Sequence, residues 1–259
     1  MKIELPIKQQ KIKYTQYGHK YARASDGKAY SPISQVSETR PKDFLAVWTT
    51  KMNYEYMLEN WDVSKKYTPD EKKELLELAR YAADRDSKEA MLLGTKIHDW
   101  IEAHIAGQDR LLTSDIKRSV ELFLEWEKEY VDKWLASEML VSSDEWEVAG
   151  RLDAIALMKT GKIALIDFKT GNSIYLSYQL QTAGYYKCLD EGGYVVDERI
   201  IVRIPKSVYR KVYHPESHSY TMEENLIEMK IIDSDLNEDL TIFKTQIPLY
   251  LWLKKNEKR

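Results

Sequence analysis

Cysteine is almost absent from this sequence, with Cys188 as the single example among 259 residues. An intrachain disulfide and a zinc or iron–sulfur site built from four cysteines are therefore excluded. No apolar run approaches the ~20 residues that span a bilayer, and the N-terminal segment lacks the apolar core of a signal peptide. We therefore expect a soluble, cytoplasmic protein that does not bind membranes.

Glycine and proline are also scarce, at 10 and 7 residues, which excludes a fibrous chain. No sign of charge dominates, because 39 basic and 42 acidic residues leave a net charge of −3. Without a global positive field, simple coating of nucleic acid is disfavoured. No enzyme class is excluded, since enzymes concentrate positive charge locally. The 43% of apolar residues suffice for a substantial core.

Helices are predicted from about residue 42 to residue 134, and a small sheet is predicted after them. Thr68-Pro69-Asp70-Glu71 is a capping box with proline at the first helical position, and it predicts a helix to about Ala83. A second helix is predicted over 86–105, where Glu89 follows Asp86 by three residues. Apolar spacing predicts a third over 114–135, and the remaining predicted helices are 174–190 and most of 222–253. The predicted strands are 138–142, 146–157, 162–169 and 199–204, with a hairpin turn at 159–162.

This order of elements indicates a mixed α/β (α+β) fold, in which helices flank a small mixed sheet. We expect a single domain over residues 1–259. Its parts are a helical N-terminal extension over 1–85, a core over 86–205 and a C-terminal helical region over 206–259.

The candidate chemistry centres on Asp167 and Lys169, which end an apolar strand. Alternate side chains of a strand share a face, so these two point one way and Phe168 points the other. Asp153 is predicted on the neighbouring strand, and two such carboxylates suit a hard cation such as Mg²⁺. A lysine beside them can orient or deprotonate a water, or meet negative charge on a phosphate. The alternative is a structural Asp/Lys ion pair on a half-exposed face.

Two predicted helices that flank these strands contribute further candidate site residues. His98 and Glu102 are spaced i, i+4 on one helical face, although such a pair is commonly a surface hydrogen bond. Tyr178, Gln181 and Tyr185 share a face of a later helix, where the alternative is an aromatic stripe that faces the core.

Taken in order, these motifs resemble the PD-(D/E)xK nuclease superfamily, specifically its RecB-like branch. That branch shows G-x-x-x-H, G-x-x-D, (I/V)-D-x-K-T and Q-x-x-x-Y. The matching residues are Gly94/His98, Gly150/Asp153, Asp167/Lys169/Thr170 and Gln181/Tyr185. Residues 30–34 and 40–48 also resemble the leading segment of phage-type and mitochondrial genome maintenance exonucleases. The resemblance covers about residues 30–205 and implies a restriction-endonuclease-like core.

The resemblance also implies roles for individual residues. Asp153, Asp167 and Lys169 would be catalytic, and Lys169 would align the attacking water. The ligands of Mg²⁺ or Mn²⁺ would be Asp153, Asp167, the carbonyl of Phe168 and His98. Glu102 and Glu138 are second-tier candidates, and Gln181, Tyr185 and Thr170 would support the lysine or bind DNA. Gly150 would let the backbone approach the scissile phosphate.

The function expected from the resemblance is that of a metal-dependent DNA nuclease without an iron–sulfur cluster. We expect an exonuclease that acts on DNA ends or single strands in a bacterial or phage-infected cell, with recombination or replication proteins as partners. One alternative is a catalytically inactive nuclease fold that binds DNA or assists assembly, which the complete acid–acid–lysine set disfavours. Another is a restriction-type endonuclease, which the lack of a separate recognition domain disfavours.

Overall fold

The computed structural model describes residues 12–15, 20–39, 44–214, 216 and 219–256. The chain divides into two compact units, one formed by Met1–Thr39 with Ile97–Arg259 and the other by Arg40–Lys96. Residues 40–48 are expected to resemble the leading segment of exonucleases. The first four of them, residues 40–43, lie outside the described residues. The organisation as a single domain stays a prediction.

The smaller unit is helical, as the sequence predicts. Its helices are α2 (Phe44–Asn60), α3 (Pro69–Arg80) and the first part of α4 (Ala82–Ile105). The capping box is confirmed, because the Thr68 N–H donates to Glu71 at 2.8 Å and the Glu71 N–H donates to Thr68 at 3.3 Å. The helix expected from residue 86 begins earlier, at Ala82, since only Tyr81 separates α3 from α4.

A mixed sheet forms the centre of the larger unit. Its main strands are β4 (Val131–Ser143), β5 (Val148–Met158), β6 (Ile163–Lys169) and β7 (Glu198–Arg203). β5 pairs antiparallel with β4 and with β6, and β6 pairs parallel with β7. The predicted hairpin turn between β5 and β6 is confirmed. Gly161 adopts a φ of +83° there and donates to the carbonyl of Met158 at 2.8 Å, which fits a glycine in a hairpin loop.

The helix expected over residues 114–135 is too long. Helix α5 (Lys117–Tyr130) passes directly into β4 at Val131. Val131 and Trp134 satisfy the helical spacing, but backbone pairing with β5 places them on a strand. The Trp134 ring then packs 6.2 Å from the Phe168 ring and 6.3 Å from the Phe123 ring. The tertiary context therefore overrides the local pattern at the end of this helix.

The N-terminal extension is not wholly helical, which corrects the sequence prediction. Strands β1 (Ile12–Thr15), β2 (Lys20–Arg23) and β3 (Ala29–Pro32) form a meander, and β3 pairs parallel with β5. Helix α1 (Ile33–Ser37) follows it. Strands of only four residues carry too little periodicity to be recognised from sequence.

Helices cover both faces of the sheet, which confirms the expected mixed fold. Helix α6 (Leu176–Glu191) packs on one face together with α1 and helix α7 (Leu236–Asn256). On the other face, the aromatic rings of α5 pack against Phe168. Within the described residues, no helix combines the length and the apolar character needed to cross a membrane.

In the C-terminal region the expected helix covers most of 222–253 but begins only at Leu236, and the residues before it form strands. A hairpin of β8 (Tyr209–His214) and β9 (Ser219–Glu224) comes first, followed by β10 (Glu228–Ile231). β10 pairs antiparallel with β7 and covers its edge, which would otherwise expose unpaired backbone groups. Helix α7 begins only after this strand, at Leu236.

Candidate active site

The candidate site lies at a gap between two strands. On one edge of β5, pairing with β3 ends at Ala149, and pairing with β6 begins at Ala154. Residues 150–153 of β5 therefore lie where β3 and β6 separate. We call this gap the fork.

Asp153 lies at the end of the fork that is next to β6. Its Oδ2 accepts a hydrogen bond from the Phe168 N–H at 2.7 Å, beyond the last backbone pair between Ala154 and Ile166. The N–H and C=O of one strand residue point toward the same edge. The carbonyl of Phe168 is therefore also directed toward β5 and Asp153.

Asp167 and Lys169 share a face of β6, as predicted. The Lys169 ammonium lies 3.0 Å from Oδ1 of Asp167 and 2.8 Å from Oδ2. Only the contact to Oδ1 has hydrogen-bond geometry, so the buried Oδ2 has no hydrogen-bond donor among the described residues. Phe168 points to the opposite face, where its ring lies 5.7 Å from that of Phe123 and 6.1 Å from that of Trp126.

Burial dominates the electrostatics of the two carboxyl groups. It raises the pKa of Asp167 to about 6, where the charge of Lys169 opposes the shift and the charge of Asp153 adds to it. Burial also raises the pKa of Asp153, again against the charge of Lys169. Burial alone would lower the pKa of Lys169, but the charges of Asp167 and Asp153 outweigh it and raise the value. The lysine therefore stays an ammonium between two carboxyl groups that repel each other.

Helix α6 supplies a directed chain of hydrogen bonds to the lysine. Lys169 donates to Oε1 of Gln181 at 3.2 Å, and Gln181 donates from Nε2 to the Tyr185 hydroxyl at 3.1 Å. The Tyr185 hydroxyl donates to the carbonyl of Arg151, in the fork, at 3.0 Å. Tyr178 shares this side of the helix, and the Lys169 ammonium lies 4.8 Å from the centre of its ring.

The role expected for Gly150 is not what the structure shows. A Cβ atom at this position would lie 2.5 Å from Cε1 of Tyr185. The space beside the glycine is therefore filled by the Tyr185 ring, and it offers no approach for a phosphate. Gly150 is needed because the side chain that ends the hydrogen-bond chain passes directly over it.

His98 and Glu102 lie on α4, both half-buried. Burial lowers the pKa of His98 to about 4, with a further lowering by the charge of Lys169 and an opposing effect of Asp167. The imidazole is therefore neutral near pH 7 and within electrostatic reach of the acid–lysine pair. In the part of the chain that the structure describes, no three His, Cys, Asp or Glu side chains are grouped so that they could hold a metal ion. The role of His98 as a further ligand stays a prediction.

A second charged cluster flanks Asp153 on β4 and β5. Glu138 lies opposite Asp153, because Ser137 pairs with Ala154 and Met139 pairs with Leu152. Its carboxylate forms an ion pair with Arg151. Burial raises the pKa of Glu138 to about 8, with a further rise caused by Asp153.

Sequence reasoning missed Arg151. The available signal was its position two residues before Asp153 on the same strand, since alternate side chains share a face. Of the other expected site residues, Thr170 is half-buried directly after β6. Glu102 contributes charge, which adds to the rise in the pKa of Asp153.

Two solved exonuclease structures are similar to this chain at very low identity. LHK-Exo, solved in complex with dAMP, is 12% identical, with 88% of this chain and 89% of that chain covered and a TM-score of 0.35. A proposed exonuclease from Eubacterium rectale is 11% identical, with 88% and 82% covered and a TM-score of 0.43. No curated protein sequence matches the chain. Likenesses at this level say nothing about activity.

A match to a family model is more informative. The model of the PD-(D/E)XK nuclease superfamily matches residues 57–248, which is more than half of the chain. The matched region contains Asp153, Asp167 and Lys169, together with Gln181 and Tyr185. It agrees with the resemblance drawn from the motifs and with the mixed sheet flanked by helices. This chain therefore belongs to the PD-(D/E)XK nuclease superfamily.

Proposed function

We propose that this protein is a divalent-metal-dependent deoxyribonuclease that hydrolyses phosphodiester bonds from DNA ends. One observation carries the proposal. The half-buried carboxyl group of Asp153, the buried carboxyl group of Asp167 and a charged lysine meet at the fork, and Oδ2 of Asp167 makes no hydrogen bond among the described residues and has only the Lys169 ammonium nearby, at 2.8 Å. One ammonium compensates two neighbouring carboxyl groups only in part, which is costly in a site shielded from water unless a further cation is bound.

The residues at the fork fit a hard divalent cation. Carboxylate and carbonyl oxygens are the ligands that Mg²⁺ and Mn²⁺ prefer, and Asp153, Asp167 and the carbonyl of Phe168 would hold the ion. A positive ion there would also relieve the repulsion between the two carboxyl groups. When bound, the cation supplies Lewis acidity toward water and the phosphate.

His98 is proposed as a further ligand of the same ion. Its imidazole is neutral near pH 7, and imidazole nitrogen favours softer ions than oxygen ligands do. We therefore expect Mn²⁺ to support activity better than Mg²⁺. His98→Ala should reduce activity with both metals and narrow the advantage of Mn²⁺.

Lys169 orients the attacking water and stabilises negative charge on the phosphate. Its raised pKa makes it a poor base near pH 7, so it acts as a fixed cationic donor. Asp167 and Gln181 hold the ammonium, and Tyr185 in turn holds Gln181. Glu102 and Glu138 influence the charge of the site, and Thr170 contacts DNA.

Action at DNA ends, and partners from recombination or replication in the cytoplasm, are proposed from the resemblance to the RecB-like branch. A covalently closed circular DNA separates this proposal from restriction-type action. An exonuclease leaves the circle intact, whereas an endonuclease linearises it.

The test uses end-labelled single- and double-stranded DNA with Mg²⁺, Mn²⁺ or EDTA. Asp153→Asn and Asp167→Asn should each abolish cleavage, because a nearly isosteric amide cannot replace the ligand charge. Lys169→Ala should lower kcat more than it weakens metal or DNA binding.

The chain offers a matched control at the other end of β6. Asp197 accepts a hydrogen bond from the Ile163 N–H at 2.7 Å, as Asp153 does from the Phe168 N–H. Asp197→Asn should leave cleavage unchanged. Cleavage at the wild-type rate by both Asp153→Asn and Asp167→Asn would contradict the proposed site.

A DNA-binding or assembly module without catalysis is the second candidate. It is favoured by one observation, that the described residues assemble no group of three metal-binding side chains. The same experiment distinguishes the two candidates. DNA that is bound but uncut with either metal supports the inactive module.

A further inference from the structure

Glu138 has an unusual backbone conformation beside the site. Its φ of +51° lies in the left-handed region, which disfavours residues with a side chain, although Glu138 stands within strand β4. Such conformations persist only where the surroundings enforce them, and they re-aim the side chain. Here the carboxylate meets the guanidinium of Arg151, and the two side chains are 20% and 35% exposed.

Arg151 is held at both its main chain and its side chain. Its carbonyl accepts the hydrogen bond from Tyr185. Its guanidinium lies 5.6 Å from the centre of the Tyr14 ring, which is supported by a stack with Tyr21 at 5.1 Å. The N-terminal meander therefore fixes the cation that pairs with Glu138.

We propose that Arg151 is a positioning residue that keeps the Glu138 carboxylate out of the metal site. This inference rests on the proposed function. Glu138 lies opposite Asp153 on the paired strand, so a freed Glu138 is the acidic side chain of β4 that is placed beside the site. The contact with Arg151 holds this side chain away from the metal site.

Because Arg151 limits the number of acidic ligands, we expect the site to bind metal with moderate affinity. The affinity of oxygen-ligand sites for divalent cations rises with the number of charged ligands. Two aspartates leave positions open for water and a phosphate oxygen, whereas a third carboxylate would occupy one of them. Arg151 thereby determines how many acidic ligands the ion meets.

The test measures the Kd for Mn²⁺ alone by calorimetry on the full chain, without DNA. Arg151→Met should bind Mn²⁺ roughly 10-fold more tightly, because a freed Glu138 adds one charged oxygen ligand. In a Glu138→Gln background, the same substitution should change the Kd less than about 2-fold. Arg151→Gln serves as a second variant with the same expectation, and Arg151→Lys, which keeps the cation, should stay near wild type.

Arg23 provides the matched control in the same meander. Its guanidinium lies 5.9 Å from the Tyr30 ring centre and 2.9 Å from an oxygen of Asp144, so it repeats the arrangement at a distance from the metal carboxylates. Arg23→Met should leave the Kd for Mn²⁺ unchanged.

The double-mutant cycle separates the proposal from a general effect of charge. An equal change in Kd with Glu138 and with Gln at position 138 would mean that Arg151 acts only through its charge, and would overturn the inference. Binding that Asp153→Asn abolishes, but that neither Arg151→Met nor Arg151→Gln tightens, overturns the inference and leaves the proposed function standing. Failure of the wild-type protein to bind Mn²⁺ contradicts both.

Discussion

The hydroxyl of Tyr185 donates a hydrogen bond to the main-chain carbonyl of Arg151, 3.0 Å away. Burial raises the pKa of Tyr185 well above its ordinary value, so the hydroxyl remains a donor. Its oxygen accepts from the Gln181 amide nitrogen, and Gln181 is thereby obliged to turn its oxygen toward Lys169. The hydrogen bond from Tyr185 to Arg151 therefore determines the donor–acceptor direction of every hydrogen bond between the fork and Lys169.

Tyr185→Phe should impair catalysis while leaving metal binding intact. Without the hydroxyl, Gln181 loses its acceptor and is free to rotate, so Lys169 loses a fixed partner. We expect kcat to fall roughly 10-fold and the free energy of unfolding to fall by about 1–3 kcal/mol, since the Arg151 carbonyl loses its donor. Single-turnover cleavage and Mn²⁺ calorimetry provide the measurements. Tyr186→Phe, on the same helix, is the control, and equal losses in both variants would contradict the prediction.

Gly150→Ala should destabilise the protein and reduce activity together. The added methyl group would lie 2.5 Å from Cε1 of Tyr185, so the ring must move away from the fork. We expect a loss of about 1–3 kcal/mol, as is usual for overpacking. Adding Tyr185→Leu should recover part of the stability but none of the activity. Thermal unfolding measures the first effect, and an unchanged melting temperature in Gly150→Ala would rule out the close contact.

The elements of the site that sequence predicts best are those that depend on local periodicity. Asp167 and Lys169 share a face because a strand alternates, and Gln181 and Tyr185 share a face because a helix repeats every 3.6 residues. Both relationships are present in the structure. The sheet, its flanking helices and the hairpin at Gly161 follow from equally local signals.

What sequence could not predict depends on partners that lie far away along the chain. The pairing of Arg151 with Glu138 requires a left-handed residue within a strand, and the nearby Tyr14 belongs to a strand too short to show a pattern. The requirement for glycine at position 150 comes from the Tyr185 ring, which belongs to another element. Trp134 fits a helix as well as a strand, and only its pairing partner on β5 decides between them.

Asp239→Asn should cost about 3–5 kcal/mol of stability, because it leaves a buried guanidinium without its partner charge. Arg199 and Asp239 lie 2.6 Å apart, with only 5% and 4% of their side chains exposed, and they join β7 to α7. Chemical denaturation gives the free energy of unfolding. Glu238→Gln, in the same helical turn but exposed, should change it by less than about 0.5 kcal/mol. Similar values for the two variants would disprove the importance of this pair.

The same pair predicts a dependence of stability on pH. Burial opposes ionisation of Asp239, but hydrogen bonds from Ser234, Arg199 and Gln179 outweigh it and lower the pKa. A lowered folded-state pKa contributes stability that is complete above the unfolded value of about 3.9 and is lost as the pH falls through the folded value. The difference in unfolding free energy between wild type and Asp239→Asn should therefore shrink below about pH 4. A difference that stays constant from pH 7 to pH 3 would contradict this.

Thr68→Ala should lower the stability of α3 by about 1 kcal/mol, because the Glu71 N–H loses its side-chain acceptor. Hydrogen exchange of the first turn of α3 is the most direct measurement. Thr68→Ser keeps the acceptor oxygen and should preserve protection there. Equal exchange rates in the Ala and Ser variants would show that the capping hydrogen bond contributes nothing.

The packing of helix α1 has a consequence for folding during translation. Ile33 and Val36 are fully buried in the core that also contains Phe243, and the Tyr250 hydroxyl donates to Oε1 of Gln35 at 2.7 Å across 215 residues. Translation at roughly 5–20 residues per second separates the synthesis of these two positions by roughly 10–40 s. During that interval the apolar side of α1 lacks its partners from α7. The face of the sheet under α6 can therefore close only after nearly the entire chain has been synthesised.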